Sequence, residues 1–262
     1  MTDTPNAAPS FLTRADGIRL AYRYVQGKGP LLVFLPGYRS DMEGGKAKAV
    51  FAHARSGGRA CLLLDYSGCG VSEGQFEDGT LNIWLEDALA LIRHVWPVGD
   101  IIPIGSSMGG WLALLLALRM PEQVAGLIGI AAAPDFTDWG FTDAQKAALR
   151  RHRRIIEPSD YEGGGMVTTL AFWESGEANR LLEQEIPLDC PVRLLHGQAD
   201  DVVAWQIPLR LAAQLHSTDV QTVLVKDGDH RLSRDADIAL LLGMVDGLID
   251  PIGAVACLVP DA

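Results

Sequence analysis

The chain has 262 residues, which is long enough for one large domain or a domain with an insertion and too long for a small disulfide scaffold. Its 22 lysines and arginines are outnumbered by 33 aspartates and glutamates, and the net charge of −11 disfavours a nucleic acid partner. With 48% hydrophobic residues the chain can bury a sizeable core, yet its longest apolar runs fall short of the roughly 18 residues that cross a bilayer. We expect a globular protein without a transmembrane segment.

The four cysteines show neither a C-x-x-C pair nor a spacing to histidine that is typical of zinc sites. We therefore expect free thiols, no metal and no organic cofactor. The segment from Met1 to Thr13 contains no basic residue and no apolar run of signal-peptide length. Together these features predict a cytoplasmic protein.

Short β-rich runs alternate with longer helical patterns along most of the chain. The first run, Ile18 to Val25, is predicted to form one arm of a hairpin. The later runs are almost continuously apolar, as expected for parallel strands buried on both faces; they are Leu31 to Leu35, Ala60 to Asp65, Ile101 to Ser106, Leu127 to Ala131, Val192 to His196 and Gln221 to Val225. Helices are predicted at Met42 to Ser56, Leu81 to Trp96, Met108 to Arg119, Trp205 to Leu215 and Asp235 to Leu248. This alternation predicts an α/β fold with a mostly parallel central sheet and helices on both faces.

The alternation stops between Pro134 and Pro191, where more than fifty residues separate two predicted strands. A connection of that length exceeds one short crossover, so it predicts a cap inserted into the fold. The resulting division has an α/β core at residues 1–134 and 189–262 and a cap or lid at residues 135–188. Within the cap we expect a partly helical stretch from Thr142 to Ile156 and another helical segment near Leu182.

The segment Gly105-Ser106-Ser107-Met108-Gly109 matches the pattern G-x-S-x-G and lies between a predicted strand and a predicted helix. In that setting the central serine occupies a tight strand-to-helix turn, and the flanking glycines leave room for the backbone. Ser107 is therefore a candidate nucleophile at the carboxyl end of the sheet. The alternative interpretation is a glycine-rich turn that only caps the following helix.

A serine hydroxyl is a weak nucleophile that needs a neighbouring base, and the base needs an acid to orient it. Both should follow the serine along the chain. Asp200 lies in the loop after a predicted strand, and His230 lies after the next strand. Asp200 is favoured as the acid because it stands three residues after Gly197, while Asp201 and Asp135 remain alternatives. Ser107, Asp200 and His230 are thus the predicted catalytic residues.

A serine that attacks a carbonyl also needs N–H donors for the oxyanion. The N–H of Met108, directly after the candidate nucleophile, is the first candidate. The second is the N–H of Tyr38, in the turn after the strand that ends at Leu35.

Three aromatic residues are candidates for contacts with an acyl group: Trp111, Phe172 and Trp173. For the two in the cap, the spacing equally suits packing against the sheet. The basic run from Arg150 to Arg154 could meet a carboxylate or a phosphate, although a solvated helix face is the favoured interpretation. His196 is interpreted as packing within its strand turn.

With these motifs the chain resembles the α/β-hydrolase family over nearly its whole length. The segment from Asp65 to Ser72 is similar to the D-x-x-G-x-G-x-S loop of that family. A narrower resemblance is to the branch of palmitoyl-protein thioesterases and acyl-glucuronide esterases. Four segments carry it: Leu35 to Tyr38, Gly105 to Leu112, Cys190 to Gly197 and Asp229 to Arg231. The resemblance implies hydrolysis of S-acyl or activated O-acyl bonds by the predicted triad.

We therefore expect a serine hydrolase that cleaves carboxylic ester or thioester bonds through an acyl-enzyme intermediate. Its substrate would be a small molecule or an acylated protein. Three alternatives stay open on the same fold: an acyltransferase, a cofactor-independent perhydrolase and a non-catalytic ligand-binding receptor. An intact set of serine, acid and base argues against the last of these.

Overall fold

The computed structural model describes residues 8–157 and 165–250, which contain one large sheet and one small two-stranded sheet. The strands in these residues are β1 (Ser10–Thr13), β2 (Arg19–Val25), β3 (Lys28–Leu35), β4 (Arg59–Leu64), β5 (Ile101–Ser106), β6 (Leu127–Ile130), β7 (Arg154–Glu157), β8 (Met166–Thr169), β9 (Val192–Gly197) and β10 (Val220–Val225). The large sheet has the order β1-β2-β4-β3-β5-β6-β9-β10, and β7 pairs with β8. β2 runs antiparallel to both neighbours, whereas the other neighbouring strands of the large sheet are parallel.

Helices cover both faces of the large sheet. They are α1 (Gly45–Ser56), α2 (Leu81–Val95), α3 (Met108–Arg119), α4 (Phe136–Trp139), α5 (Asp143–His152), α6 (Leu170–Glu177), α7 (Gln206–Gln214) and α8 (Asp235–Ile249). α1 and α8 pack together on one face, and α2 and α3 pack together on the other. The predicted α/β architecture, with a mostly parallel central sheet and helices on both faces, is confirmed.

The apolar character of the central strands follows from burial on both faces. In β3, Leu31, Val33 and Leu35 belong to the core beneath α2 and α3. Leu32 and Phe34 belong to the core beneath α1 and α8. Because side chains alternate between the two faces of a strand, a strand covered on both sides needs an apolar residue at every position.

Between β6 and β9 the described residues form α4, α5, the antiparallel pair of β7 and β8, and α6. A capping box between Thr142 and Gln145 starts α5, so the stretch predicted as partly helical contains this helix and then β7. Leu149, Leu170 and Trp173 form a small apolar cluster of their own. We propose that this insertion is the cap, with the boundaries 135–188 that the sequence predicts.

Two predicted helical segments differ from the structure. The helix expected from Met42 begins at Gly45, because Gly44 has a ψ of 148°, outside the helical region; the N–H of Met42 donates to Asp65 Oδ1 at 2.8 Å. The helical segment expected near Leu182 is wrong: a turn stands there, and the N–H of Leu182 donates to Asp135 Oδ2 at 2.8 Å. In both places a carboxylate from elsewhere in the chain accepts the backbone N–H, a contact that a local hydrophobic pattern does not reveal.

Within residues 8–157 and 165–250, no helix combines the length and the apolar character needed to cross a membrane. Cys61, Cys69 and Cys190 are free thiols, and Cys257 lies outside the described residues. Burial raises the pKa of Cys69 to about 12, so this thiol stays protonated at neutral pH.

Candidate active site

The predicted catalytic residues come from loops at one edge of the sheet. Ser107 follows β5, Asp200 follows β9 and His230 follows β10. The loop that contains Tyr38 follows β3, which is the neighbour of β5. These strands are parallel, so the loops after them meet at the same edge, where α/β proteins bind their ligands.

Ser107 occupies the turn between β5 and α3 with a φ of 56° and a ψ of −120°. A side chain is disfavoured at positive φ, and the surrounding backbone holds the turn: the Ser107 N–H donates to the Ile130 carbonyl at 2.9 Å. A Cβ at Gly105 would lie 2.1 Å from the Gly109 carbonyl oxygen, and one at Gly109 would lie 2.0 Å from the backbone of β3. The two glycines of the motif are therefore required by close backbone approach.

Two hydrogen bonds join the three predicted residues. Ser107 Oγ lies 3.1 Å from His230 Nε2, and His230 Nδ1 lies 2.8 Å from Asp200 Oδ2. Because an ionised carboxylate only accepts, Nδ1 carries the imidazole proton, and Nε2 is left to accept from the serine hydroxyl. The His230 side chain is 23% exposed, whereas that of Asp200 is fully buried. The structure thus brings serine, base and acid into one continuous arrangement.

The backbone of its own loop holds the other carboxylate oxygen of Asp200. Oδ1 accepts the N–H groups of Val202 and Val203, each at 2.8 Å. Burial alone would raise the pKa of Asp200, but the hydrogen bonds from His230 and from these N–H groups outweigh burial and lower this pKa below its ordinary value. Asp200 is therefore ionised at neutral pH and can orient an imidazole.

The loops that carry Asp200 and His230 touch each other through two glycines. A Cβ at Gly197 would lie 2.2 Å from the Gly228 carbonyl oxygen, so only glycine fits at this position. The same carbonyl accepts the N–H of Ala199 at 2.9 Å. This close approach fixes the distance between the two loops.

The two alternative acids, Asp201 and Asp135, are not hydrogen-bonded to His230 Nδ1. Asp201 is exposed, and His230 Nδ1 is bonded to the adjacent Asp200 instead. Asp135 is buried and accepts the N–H groups of Leu181 and Leu182, each at 2.8 Å. Burial raises the pKa of Asp135, although these two donors oppose the increase. Asp135 therefore anchors the turn after α6 and does not orient the histidine.

We expect Asp135→Ala to lower the free energy of unfolding by about 2 to 4 kcal/mol, because it leaves two buried N–H groups without their acceptor. Urea unfolding of the purified variant measures this loss. Asp138→Ala is the matched control. The Asp138 carboxylate is partly exposed and forms ion pairs with Lys146 and Arg180, and exposed ion pairs contribute little to stability. An Asp135→Ala protein with unchanged stability and no activity would instead identify Asp135 as the catalytic acid.

The two expected oxyanion donors belong to segments next to the nucleophile. Met108 is the first residue of α3, so its N–H has no acceptor within the helix. A Cβ at Gly37 would lie 3.3 Å from Ser107 Cβ, which shows how closely the loop after β3 approaches the serine. Tyr38 follows directly. The oxyanion roles of Met108 and Tyr38 stay predictions that this placement supports.

The side chain of Tyr38 connects its loop to the insertion. Its hydroxyl donates to the Val167 carbonyl of β8 at 2.9 Å, and its ring centroid lies 4.8 Å from that of Phe172. Burial raises the pKa of Tyr38 to about 12, so the phenol keeps its proton. The expected oxyanion loop and the insertion are thus in direct contact.

The structure does not place the three aromatic candidates at an open surface. Trp111, Phe172 and Trp173 are 0%, 1% and 6% exposed. The indole N–H of Trp111 donates to the Asn179 carbonyl at 3.1 Å, and that of Trp173 donates to the Thr137 carbonyl at 3.0 Å. All three side chains are packed, and their contact with a substrate stays a prediction.

The basic run from Arg150 to Arg154 is exposed at the end of α5 and the start of β7. The Arg150 guanidinium lies 4.7 Å from the centroid of the Trp173 ring, and Arg154 pairs with Glu77 at 3.4 Å. Basic residues near the end of a helix also interact favourably with its carbonyl groups. These contacts favour the interpretation of a solvated helix end.

One residue beside the site was expected only to pack. His196 in β9 is fully buried, and its Nε2 lies 3.4 Å from Asp200 Oδ2. Its position four residues before Asp200 was the only sequence signal of this contact.

In the part of the chain that the structure describes, no group of three or more His, Cys, Asp or Glu side chains could hold a metal ion.

The fold and the arrangement of Ser107, His230 and Asp200 define a class of protein. The family model described as "Serine aminopeptidase, S33" matches residues 30–163, and the model of the "Prolyl oligopeptidase family" matches residues 99–241. Both describe α/β hydrolases. The chain belongs to the α/β-hydrolase family, as its motifs predicted.

Individual relatives make the similarity more specific. The human protein named "Palmitoyl-protein thioesterase ABHD10, mitochondrial" is 40% identical over 250 residues, which cover 94% of this chain and 81% of the relative. The solved structure of mouse alpha/beta hydrolase domain-containing protein 10 has a TM-score of 0.86 at 40% identity and covers 94% of this chain and 100% of that chain. A solved structure from Agrobacterium vitis S4 has a TM-score of 0.86 at 38% identity, with coverages of 92% and 98%. The resemblance to palmitoyl-protein thioesterases is confirmed.

The predicted cytoplasmic location is wrong, because the relatives point to a different compartment. The relatives from Homo sapiens, Pongo abelii and Mus musculus are all named as mitochondrial proteins. The prediction rested on the lack of a signal-peptide pattern and on unpaired cysteines. Neither feature distinguishes the cytosol from the mitochondrion, since thiols stay reduced in both.

Proposed function

We propose that this protein is a serine hydrolase that cleaves carboxylic ester and thioester bonds, with Ser107 as nucleophile, His230 as general base and Asp200 as orienting acid. The observation that carries the proposal is the pair of hydrogen bonds from Ser107 Oγ to His230 Nε2 (3.1 Å) and from His230 Nδ1 to Asp200 Oδ2 (2.8 Å). Hydrogen-bond reach from nucleophile to base and from base to acid is the geometry that serine catalysis requires.

In the acylation half of the reaction, His230 Nε2 takes the hydroxyl proton as Ser107 Oγ attacks the acyl carbon. The buried, ionised carboxylate of Asp200 stabilises the imidazolium that forms. The N–H groups of Met108 and Tyr38 stabilise the negative charge on the carbonyl oxygen, a contribution for which one donor is typically worth about 100-fold to 1000-fold in rate. The tetrahedral intermediate then expels the thiol or alcohol, which takes the proton from His230.

In the deacylation half, a water molecule replaces the leaving group. His230 Nε2 accepts a proton from this water as its oxygen attacks the acyl carbon of the ester on Ser107. The same oxyanion donors act again. The intermediate releases the carboxylic acid, and His230 returns the proton to Ser107 Oγ.

The surroundings of the oxyanion loop support a substrate with an apolar acyl group. The ring of Tyr38 lies 5.0 Å from that of Phe76 and 6.2 Å from that of Phe136, measured between centroids. Each of these three residues is only partly buried and packs beside the apolar core around the loop of Tyr38, whose neighbour Gly37 lies close to Ser107. Since the relatives are named palmitoyl-protein thioesterases, we propose a long-chain acyl thioester as the substrate class.

The test is hydrolysis of p-nitrophenyl esters from acetate to palmitate and of a palmitoyl thioester by the purified protein. We expect kcat/KM to rise with acyl length and to be higher for the thioester than for the oxygen ester of the same acid. A preference for the shortest ester would contradict the proposed substrate class. Folded protein that hydrolyses none of these substrates would contradict the proposed function.

Two of the alternatives are tested in the same assay. With an added alcohol, a hydrolase releases mainly free acid, whereas an acyltransferase forms mainly the new ester. With added peroxide, a perhydrolase forms a peracid. Either product as the main one would replace hydrolysis in the proposal.

A further inference from the structure

One buried titratable side chain beside the site takes no part in the reaction described above. His196 is 1% exposed at its side chain, and its Nε2 lies 2.9 Å from the Val203 carbonyl oxygen and 3.4 Å from Asp200 Oδ2. Val203 is also the residue whose N–H donates to Asp200 Oδ1 at 2.8 Å. His196 therefore holds Val203 through its carbonyl, while Asp200 is held by the N–H of the same residue.

The surroundings of His196 define its protonation state. A carbonyl oxygen only accepts, so Nε2 carries the proton and donates to Val203. Nδ1 is buried and has no hydrogen-bond partner among the described residues, so a second proton there would be an unsatisfied donor. In agreement, burial lowers the pKa of His196, with a further decrease from His230 that Val203 and Asp200 only partly oppose. His196 is therefore a neutral hydrogen-bond donor, and the charged carboxylate of Asp200 pairs with His230 instead.

We propose that His196 is a positioning residue for the triad carboxylate: its Nε2–H fixes the loop from Asp200 to Val203 so that Oδ2 meets His230 Nδ1. The inference rests on the proposed function, because it assumes that Asp200 is the acid of the triad. It goes beyond that function by giving a role to a fourth side chain that does not touch the reacting atoms. A histidine that only filled space in β9 would not affect the bond between Asp200 and His230.

Three substitutions of His196 test this role. His196→Leu removes the donor at similar volume, and His196→Asn keeps an amide on a side chain too short to reach Val203. His196→Gln places an amide N–H about as far from the backbone as Nε2. We expect kcat to fall about 10-fold to 100-fold in the Leu and Asn variants with little change in KM, because small displacements of a catalytic group cost up to about 100-fold in rate. We expect His196→Gln to recover most of kcat.

A spectroscopic measurement separates positioning from general support. The His230 Nδ1 proton, hydrogen-bonded to Asp200, gives a low-field proton resonance that reports this bond directly. We expect the resonance to persist in wild type and in His196→Gln and to shift upfield or disappear in the Leu and Asn variants. Thermal unfolding of each variant is recorded beside the kinetics.

Several results would overturn the inference. It would be contradicted by wild-type kcat in His196→Leu, or by a folded His196→Gln that is as impaired as the Leu variant. An unchanged resonance in an impaired variant would contradict it as well. Should His196→Leu fail to fold, equal kcat in the Gln and Asn variants would overturn it. A fully active Asp200→Asn would refute the proposed function itself. Inactive Asp200→Asn combined with fully active His196→Leu would refute this inference alone.

Discussion

Ser107→Ala is expected to lower kcat for ester hydrolysis by about 10⁴-fold to 10⁶-fold, since without the nucleophile only binding and oxyanion stabilisation remain. The substitution deletes Oγ, the atom 3.1 Å from His230 Nε2, and keeps the Cβ. The strained turn at φ 56° therefore meets the same steric conditions as in wild type, and the variant should stay folded. Initial rates with p-nitrophenyl esters and labelling by a fluorophosphonate probe measure the loss.

The matched control is Ser106→Ala. Ser106 offers a hydroxyl one residue earlier, at the last position of β5, yet His230 is bonded to Ser107. We expect this variant to keep most of its activity and to be labelled by the probe. Labelling that survives in Ser107→Ala but is lost in Ser106→Ala would contradict the proposal and identify Ser106 as the nucleophile.

The meeting of Ser107, Asp200 and His230 could be predicted because each follows a strand of a parallel sheet. The strands themselves are evident from continuous apolar runs, and the order of the three residues along the chain then places their loops at one edge. The choice between Asp200 and Asp201 was harder, since neighbours in sequence share the same pattern. It depends on which carboxylate turns back to accept the N–H groups of Val202 and Val203.

The turn near Leu182 could not be predicted, because its cause lies far away in the sequence. Its N–H groups are bound by Asp135, which is 46 residues before Leu181. The apolar pattern around Leu182 is compatible with a helix, and only the distant carboxylate replaces the helical hydrogen bonds. The N–H of Met42, which lies outside α1, is likewise accepted by a distant carboxylate, that of Asp65, 23 residues later.

The sequence does not tell whether an aromatic side chain of the insertion packs in the core or contacts a substrate. Phe172 and Trp173 are apolar whether they pack against the core or bind an acyl chain, so sequence composition is the same for both roles. In the structure these side chains are 1% and 6% exposed, and the ring of Phe172 packs on that of Tyr38, so packing is what the structure shows for both. Contact of Phe172 and Trp173 with a substrate stays a prediction, and we propose the partly buried Phe76 and Phe136 as further candidates.

Buried carboxylates at this edge of the sheet share a structural task. Asp65 accepts the N–H groups of Met42 and Val71, Asp135 binds the turn after α6, and Asp200 binds its own loop. Burial raises the pKa of Asp65 and of Asp135, whereas His230 and the loop N–H groups lower the pKa of Asp200 despite its burial. Only the third of these carboxylates has an imidazole as partner, which sets it apart from the two anchors.

Asp200→Asn is therefore expected to reduce kcat by about 10³-fold to 10⁴-fold while leaving the backbone in place. An amide can present its N–H₂ to His230 Nδ1, which would move the imidazole proton to Nε2. A protonated Nε2 cannot accept from Ser107 Oγ, so the base is lost although every side chain keeps its position. The variant should also react slowly with the fluorophosphonate probe, and both rates are measured against wild type.

Asp201→Asn is the matched control, because it makes the same chemical change one residue later at an exposed position. We expect this variant to keep wild-type kcat and probe reactivity. Loss of activity in Asp201→Asn with retention in Asp200→Asn would transfer the acid role to Asp201. Equal loss in both would show that the loop, rather than the carboxylate 2.8 Å from His230 Nδ1, is what the reaction requires.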